Sequence, residues 1–328
     1  MEAVGITRYG DASVLERWDV PVPEPAAGQV LVKVHFAGVN FMDVHTRQGK
    51  YATSSTYRVG LPVTLGMEGA GEVVRCGAGV EGVRVGERVA WCLSWGSYAQ
   101  YALVPATRLA RVPDALGLDM AAASIFQGCT AHYLVSDVAR LEATMTCLVH
   151  AASGAIGQLI VQMATRRGAR VLATTSSPDK ARVARSLGAE NVFAYRDGGF
   201  ADEVLEATTG RGVDVTFDSL GAPTLRASMR CTRTRGLVVN YGSVAGALVD
   251  LDPLELGEAG SLFLTRPRLA DYIADREELQ RRADDVFTGL LRDELHVNLS
   301  GEFTLDTVHQ AMADLEERRQ VGKALLRL

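Results

Sequence analysis

The stretch HAASGAIGQLIVQ, residues 150–162, decides the fold. It follows the buried apolar run TCLV and leads into a segment with helical apolar spacing, so it reads as the turn between a strand and a helix. Gly154 lets backbone N–H groups approach a pyrophosphate at the helix N-terminus. Gly157 lets that helix pack closely on the strand. The first glycine of the usual G-x-G-x-x-G is replaced by Ala152, yet the strand–turn–helix context still points to a dinucleotide site.

Working outward, the same grammar repeats. ARVLATT (169–175) is a strand, SPDKARVARSLGA (177–189) a helix opened by Ser177 and Pro178, and NVFAY (191–195) a further strand. GVDVTFDSLG and RGLVVNYGS add two more strands. Repeated strand–helix units predict a doubly wound parallel sheet with helices on both faces. Before Met120 the pattern differs: QVLVKVHFAGVN, EVVRCGAGVEGVRVGERVAW and SYAQYALV alternate at period two around glycine-rich turns. That half is expected to be a smaller β-rich domain. After His296, FTLDTVHQAMADLEERR and GKALLRL predict a helix and a last strand that returns to the first domain. The expected boundaries are 1–122 completed by 297–328 for the β-rich domain, and 123–296 for the cofactor domain.

The end of the strand after the glycine turn selects the cofactor. An NAD site would place Asp or Glu there to accept both ribose hydroxyls, whereas this chain has ATTSSPDK. Thr175 and Ser176 leave a 2′-phosphate unopposed, Lys180 is placed to pair with it, and Tyr195 adds a phenolic donor. Asp179 is expected in the first helical turn, favoured by the helix dipole. NADPH is the expected cofactor.

Composition bounds the rest. With 328 residues and 47% hydrophobic content the chain can fill two cores, and a net charge of −5 offers no basic field for nucleic acid or an anionic membrane. No window has the length of a membrane span and MEAVGITRYGD lacks a secretory pattern, so a cytoplasmic protein is expected. The five cysteines lack CxxC or finger-like spacing and are expected to be reduced thiols, mostly buried.

AGVNFMDVHTRQGKY, GLPVTLGMEGAGEV, AAASIFQGCTAHYL, HAASGAIG, VTFDSLG, VNYGS and SLFLTRPRLADYIADREEL, in that order along nearly the whole chain, resemble the medium-chain dehydrogenase/reductase superfamily. Within it they resemble the zinc-independent quinone oxidoreductases related to zeta-crystallin. The resemblance implies an α/β fold: a GroES-like β-rich catalytic domain plus a Rossmann cofactor domain, with NADPH in a cleft and commonly a homodimer. By position it implies Asn40 beside nicotinamide and substrate, and Ser153, Gly154, Ala155, Ile156 and Gly157 at the pyrophosphate. Ser176, Lys180, Tyr195 and Arg318 are implied at the ribose phosphate, Ser219, Gly242 and Ser243 along the cofactor, and Phe263 and Leu264 as backbone partners of the carboxamide. Two departures are Gln127, where relatives often carry Lys, and a longer segment at 52–60.

The zinc-dependent members take ligands at positions that read here Asn40, Met67 and Phe126 or Gln127. An amide, a thioether and a phenyl group do not make a catalytic zinc site, and the four-cysteine structural lobe is reduced to Cys92. The chemistry expected is therefore metal-free hydride transfer to a quinone or other conjugated carbonyl acceptor, in which conjugation spreads the charge that a Lewis acid would otherwise stabilise. Asn40 is the expected oxyanion donor, and the proton comes from Tyr51, Tyr57 or solvent. Asp43 reads as a helix cap, His45 as a surface residue, and Glu68 as a structural carboxylate paired with an Arg or a backbone donor. An enoyl or 2-alkenal reductase, and a non-catalytic NADPH-binding protein, are the alternatives.

Overall fold

The computed structural model of the chain describes residues 1–195 and 198–328. It resolves into two units, Met1–Cys129 with Tyr272–Leu328, and Thr130–Asp271. The helix Arg276–Leu291, which the sequence reading assigns to the cofactor half, belongs to the first of these. There it lies by the strand Leu109–Arg111, with Arg111 N–H donating to Gln280 at 2.8 Å.

In the first unit the alternating segment becomes the long strand Gln29–Val39. It pairs antiparallel with Glu68–Cys76 along one edge, and with both Tyr101–Pro105 and Lys323–Arg327 along the other. These belong to a seven-stranded sheet, and Glu2–Ile6 sits in a separate three-stranded one. The last strand does return to the first half, in the register Ala324↔Val39. Valines of alternate sheet positions (Val30, Val32, Val34, Val73, Val89) pack with Trp91 into one core cluster. Gly66, at φ +84°, takes a left-handed turn that only glycine makes without strain.

In the second unit six parallel strands run in the order Asn191–Ala194, Arg170–Thr175, Thr146–Val149, Val213–Asp218, Thr232–Asn240, Phe263–Thr265. The first strand in chain order, Thr146–Val149, is central, so the connection reverses direction beside it and opens a crevice at the carboxyl ends of the strands. His150 fastens that rim: its ring lies 2.8 Å from both Thr174 Oγ1 and Ser228 Oγ, fully buried against Phe200. Four of the cysteines are buried, Cys76 is half-buried, and all five are free.

Candidate active site

Three neighbouring strands of the first unit bring one side chain each to the same point. Asn40 ends Gln29–Val39 and caps the helix Phe41–Arg47 in an extended conformation. Glu68 starts the strand alongside, and Lys323 starts the last strand. Gly38 makes room, since a Cβ there would run into the Glu68 carboxylate and the Lys323 stem. Lys323 Nζ lies 2.6 Å from Glu68 Oε2, 2.7 Å from Asn40 Oδ1 and 3.2 Å from the Val39 carbonyl. Glu68 Oε1 accepts the Phe126 N–H at 2.8 Å. The Gln127 carboxamide closes the cluster: in one orientation its nitrogen donates to Asn40 Oδ1 at 2.7 Å, and with O and N exchanged its nitrogen lies 3.1 Å from Glu68 Oε1 and its oxygen 2.7 Å from Lys323 Nζ.

Glu68, Lys323, Asn40 and Gln127 are all 4% exposed or less. Burial pulls the Lys323 ammonium below its ordinary pKa, and the carboxylate of Glu68 opposes that pull. Glu68 is thus a structural carboxylate with the expected backbone donor, but its ionic partner is a lysine rather than an arginine. Asn40 Nδ2 donates to Glu68 Oε2 at 2.9 Å and to the Gly38 carbonyl at 3.2 Å, so both amide hydrogens are engaged inside the cluster. An oxyanion would have to displace one of them.

The same geometry tests the zinc position. Met67 is fully buried, Asn40 and Gln127 are tied to the ion pair, Phe126 contributes its backbone, and a lysine ammonium occupies the neighbourhood. Among the described residues no group of three or more His, Cys, Asp or Glu side chains could hold a metal. This donor set does not fit zinc.

The helix Phe41–Arg47 supplies the polar groups beside this cluster. Asp43 caps it as expected, accepting the Asn40 N–H at 2.8 Å and the Tyr98 hydroxyl at 2.9 Å. Complete burial raises its carboxyl pKa to about 7 against those two hydrogen bonds. His45 is not a surface residue. It is half-buried between Phe41 and Tyr51, with Nδ1 3.2 Å from the Tyr51 hydroxyl, and burial lowers its pKa to about 4. Tyr51 and Tyr57 pack with ring centroids 5.5 Å apart and planes tilted at 56°.

The second unit holds most of the residues expected at the cofactor, Asn40 and Arg318 excepted. Gly154 caps the helix Ala155–Arg166 without a side-chain bond, leaving N-terminal backbone donors of a twelve-residue helix outside the helical ladder, with Ile156 in its first turn. A Cβ on Gly157 would strike the Ala151 carbonyl, and Ser153 is buried with its carbonyl held by Gln158 at 2.7 Å. These features fit a pyrophosphate. Arg170–Thr175 ends without an acid. Ser176 follows, Ser177 caps the helix Pro178–Ser186, and Lys180 lies half-buried in its first turn. Asp179 is exposed and paired with Arg182 at 2.7 Å, as its place in the first turn predicted. Tyr195 packs at the edge of the core of that sheet. Ser219 and Gly242 are close enough that a Cβ on Gly242 would meet the Ser219 carbonyl at 2.5 Å, and Ser243 follows in the same loop. Phe263 is 64% exposed on the edge strand and Leu264 is half-buried. Arg318, at φ +57° and exposed, belongs to the first unit.

Lys323 is the residue that sequence reasoning missed. One signal was available: only four of 34 basic residues are lysine, and this one opens a short apolar strand.

Residues 26–114 match the model described as the alcohol dehydrogenase GroES-like domain, and residues 155–274 that of zinc-binding dehydrogenase. The chain is 35% identical over 319 residues to a quinone oxidoreductase of Pseudomonas aeruginosa, covering 97% of each. It is 36% identical to the 2-haloacrylate reductase of a Burkholderia species, covering 94% of this chain and 93% of that one. Its structure superposes on Escherichia coli quinone oxidoreductase complexed with NADPH with a TM-score of 0.95 at 31% identity, over the full length of both chains.

Proposed function

From the premise that the chain belongs to the zeta-crystallin-like quinone oxidoreductases of the medium-chain dehydrogenase/reductase superfamily, we propose that it reduces quinones with NADPH by hydride transfer without a metal. The observation that carries the metal-free part is the buried Lys323–Glu68–Asn40–Gln127 cluster, which fills the zinc position with groups unsuited to zinc. Without a Lewis acid, an acceptor must delocalise the incoming charge itself, as a quinone does.

NADPH, when bound, supplies the hydride. The residues that support its binding are Ser153 to Gly157 at the pyrophosphate, and Ser176, Lys180, Tyr195 and Arg318 at the 2′-phosphate. Ser219, Gly242, Ser243, Phe263 and Leu264 support the remainder. Asn40 acts through its place in the cluster, fixing the strand end from which the helix Phe41–Arg47 departs. Tyr51 and Tyr57 offer flat aromatic surface and a proton.

Turnover of NADPH with naphthoquinones, and weaker turnover with NADH, is the expected result; no oxidation of NADPH by any quinone would sink the reading. Similarity to a 2-haloacrylate reductase supports a second acceptor class, activated alkenes, which share the need for a conjugated oxyanion. Enones and enoyl thioesters in the same panel separate the two. We further propose a cytoplasmic homodimer. No helix among the described residues is long and apolar enough to cross a membrane. Among the described residues the strand Phe263–Thr265 is paired along one edge only; Phe263 on it is 64% exposed and Val249, elsewhere in the same unit, 89% exposed, an arrangement suited to a second copy.

A further inference from the structure

His45 and Tyr51 are six residues apart and are brought together by a local turn. The helix Phe41–Arg47 ends at Gln48, Gly49 turns the chain at φ +75°, and Lys50 N–H donates to the His45 carbonyl at 2.9 Å. Tyr51 is thereby folded back onto the face of the helix that carries His45, with ring centroids 5.8 Å apart and planes at 73°. The hydroxyl meets Nδ1 at 3.2 Å. The other ring nitrogen, Nε2, makes no hydrogen bond to any described residue and is not among the sealed unpaired atoms, so it is open to water.

We propose that His45 is the proton relay behind Tyr51, so that Tyr51 rather than Tyr57 protonates the reduced acceptor. The inference rests on the quinone-reductase reading above. Once the acceptor has received hydride from the reduced nicotinamide cofactor, its carbonyl oxygen carries negative charge. The Tyr51 O–H bond breaks and the acceptor O–H bond forms. The Nδ1–H of His45 passes to the tyrosine oxygen while Nε2 takes a proton from solvent. The ring stays neutral throughout, with its tautomer exchanged, and solvent restores the starting tautomer; the net proton comes from water.

The environment favours this use of the ring. Lys50 is the charge that acts on His45, and with burial it disfavours the imidazolium, leaving a neutral ring at pH 7 with one donor and one acceptor nitrogen. A neutral imidazole can accept at one nitrogen and donate at the other in a single cycle, which a buried imidazolium cannot. Tyr57 packs tilted against Tyr51, whose hydroxyl is the one that meets His45.

The test uses the full-length enzyme with NADPH and 1,4-naphthoquinone. His45→Ala, His45→Gln and Tyr51→Phe are each expected to lower kcat about a hundredfold with KM little changed, whereas Tyr57→Phe stays near wild type. Added imidazole is expected to restore His45→Ala and not Tyr51→Phe. Wild-type kcat in His45→Gln, which keeps a hydrogen bond but relays no proton, would reduce the histidine to a brace and overturn the proposal. So would a loss in His45→Ala that imidazole leaves unchanged, or a loss confined to Tyr57→Phe. Failure of the wild-type enzyme to oxidise NADPH with the quinone would instead overturn the functional reading, and the relay with it.

Discussion

The ion pair of Glu68 and Lys323 has no exposed edge, which fixes how it should answer to substitution. Both side chains are 1% exposed or less and 2.6 Å apart. Two charges taken out of water must be compensated by each other and by the Asn40, Gln127, Phe126 and Val39 groups around them. Lys323→Met should therefore destabilise the protein by about 3–5 kcal/mol, because it leaves a buried carboxylate uncompensated. Combined with Glu68→Gln, the loss should shrink markedly, since neither charge remains; urea unfolding of the two variants checks both. Asp43 makes a pH-dependent prediction. Its folded pKa of about 7 lies above the ordinary carboxylate value of 3.8, so the folded state holds the proton more tightly. Its contribution to stability is fully present below about pH 4 and is lost as pH rises through 7. His45, lowered from 6.5 to about 4, has the opposite slope: its contribution is present above 6.5 and lost as pH falls toward 4. Urea midpoints for Asp43→Asn across pH 4–8 should lose the first slope and keep the second. Retention of the falling limb in that variant would reject the assignment.

At the level of elements, the helix Pro178–Ser186 is the one on which the proposed preference for NADPH turns. Ser177 caps it by accepting the Lys180 N–H at 3.3 Å, Pro178 starts it, and the preceding strand ends in Thr175 without an acid. Lys180 stands in its first turn, the place proposed for contact with the 2′-phosphate. Lys180→Ala should raise KM for NADPH roughly tenfold, equivalent to one charge-assisted contact, with the value for NADH unchanged; equal loss with both cofactors would remove the lysine from the phosphate site. This helix was legible in the sequence because cap, proline and apolar spacing coincide. The helix Phe41–Arg47 was legible too, through Asn40 and Asp43. The position of His45 on it was not. Whether a residue on a short helix is exposed depends on what the following chain does, and here the Gly49 turn covers it with Tyr51.

For the molecule as a whole, the exposed edge strand makes the prediction. A dimer formed there should elute at about twice the 35.2 kDa chain mass, and Val249→Glu should shift it toward monomer if that apolar surface is covered in the dimer; an unchanged elution volume for the variant would move the interface elsewhere. The sequence by itself determined the parallel sheet around HAASGAIG, the β-rich half and the return of the last strand. Each is written in local order, as periodicity, caps and the residue that ends a strand. It also determined which ligand types were missing from the zinc position. Only the tertiary structure decided what replaced them. Asn40, Glu68, Gln127 and Lys323 lie as much as 283 residues apart in the chain, and no local pattern records that strand pairing sets them within hydrogen-bonding distance. That pairing makes Asn40 a member of a buried cluster, because the register of three neighbouring strands, not the identity of the amide, decides where its two hydrogens go.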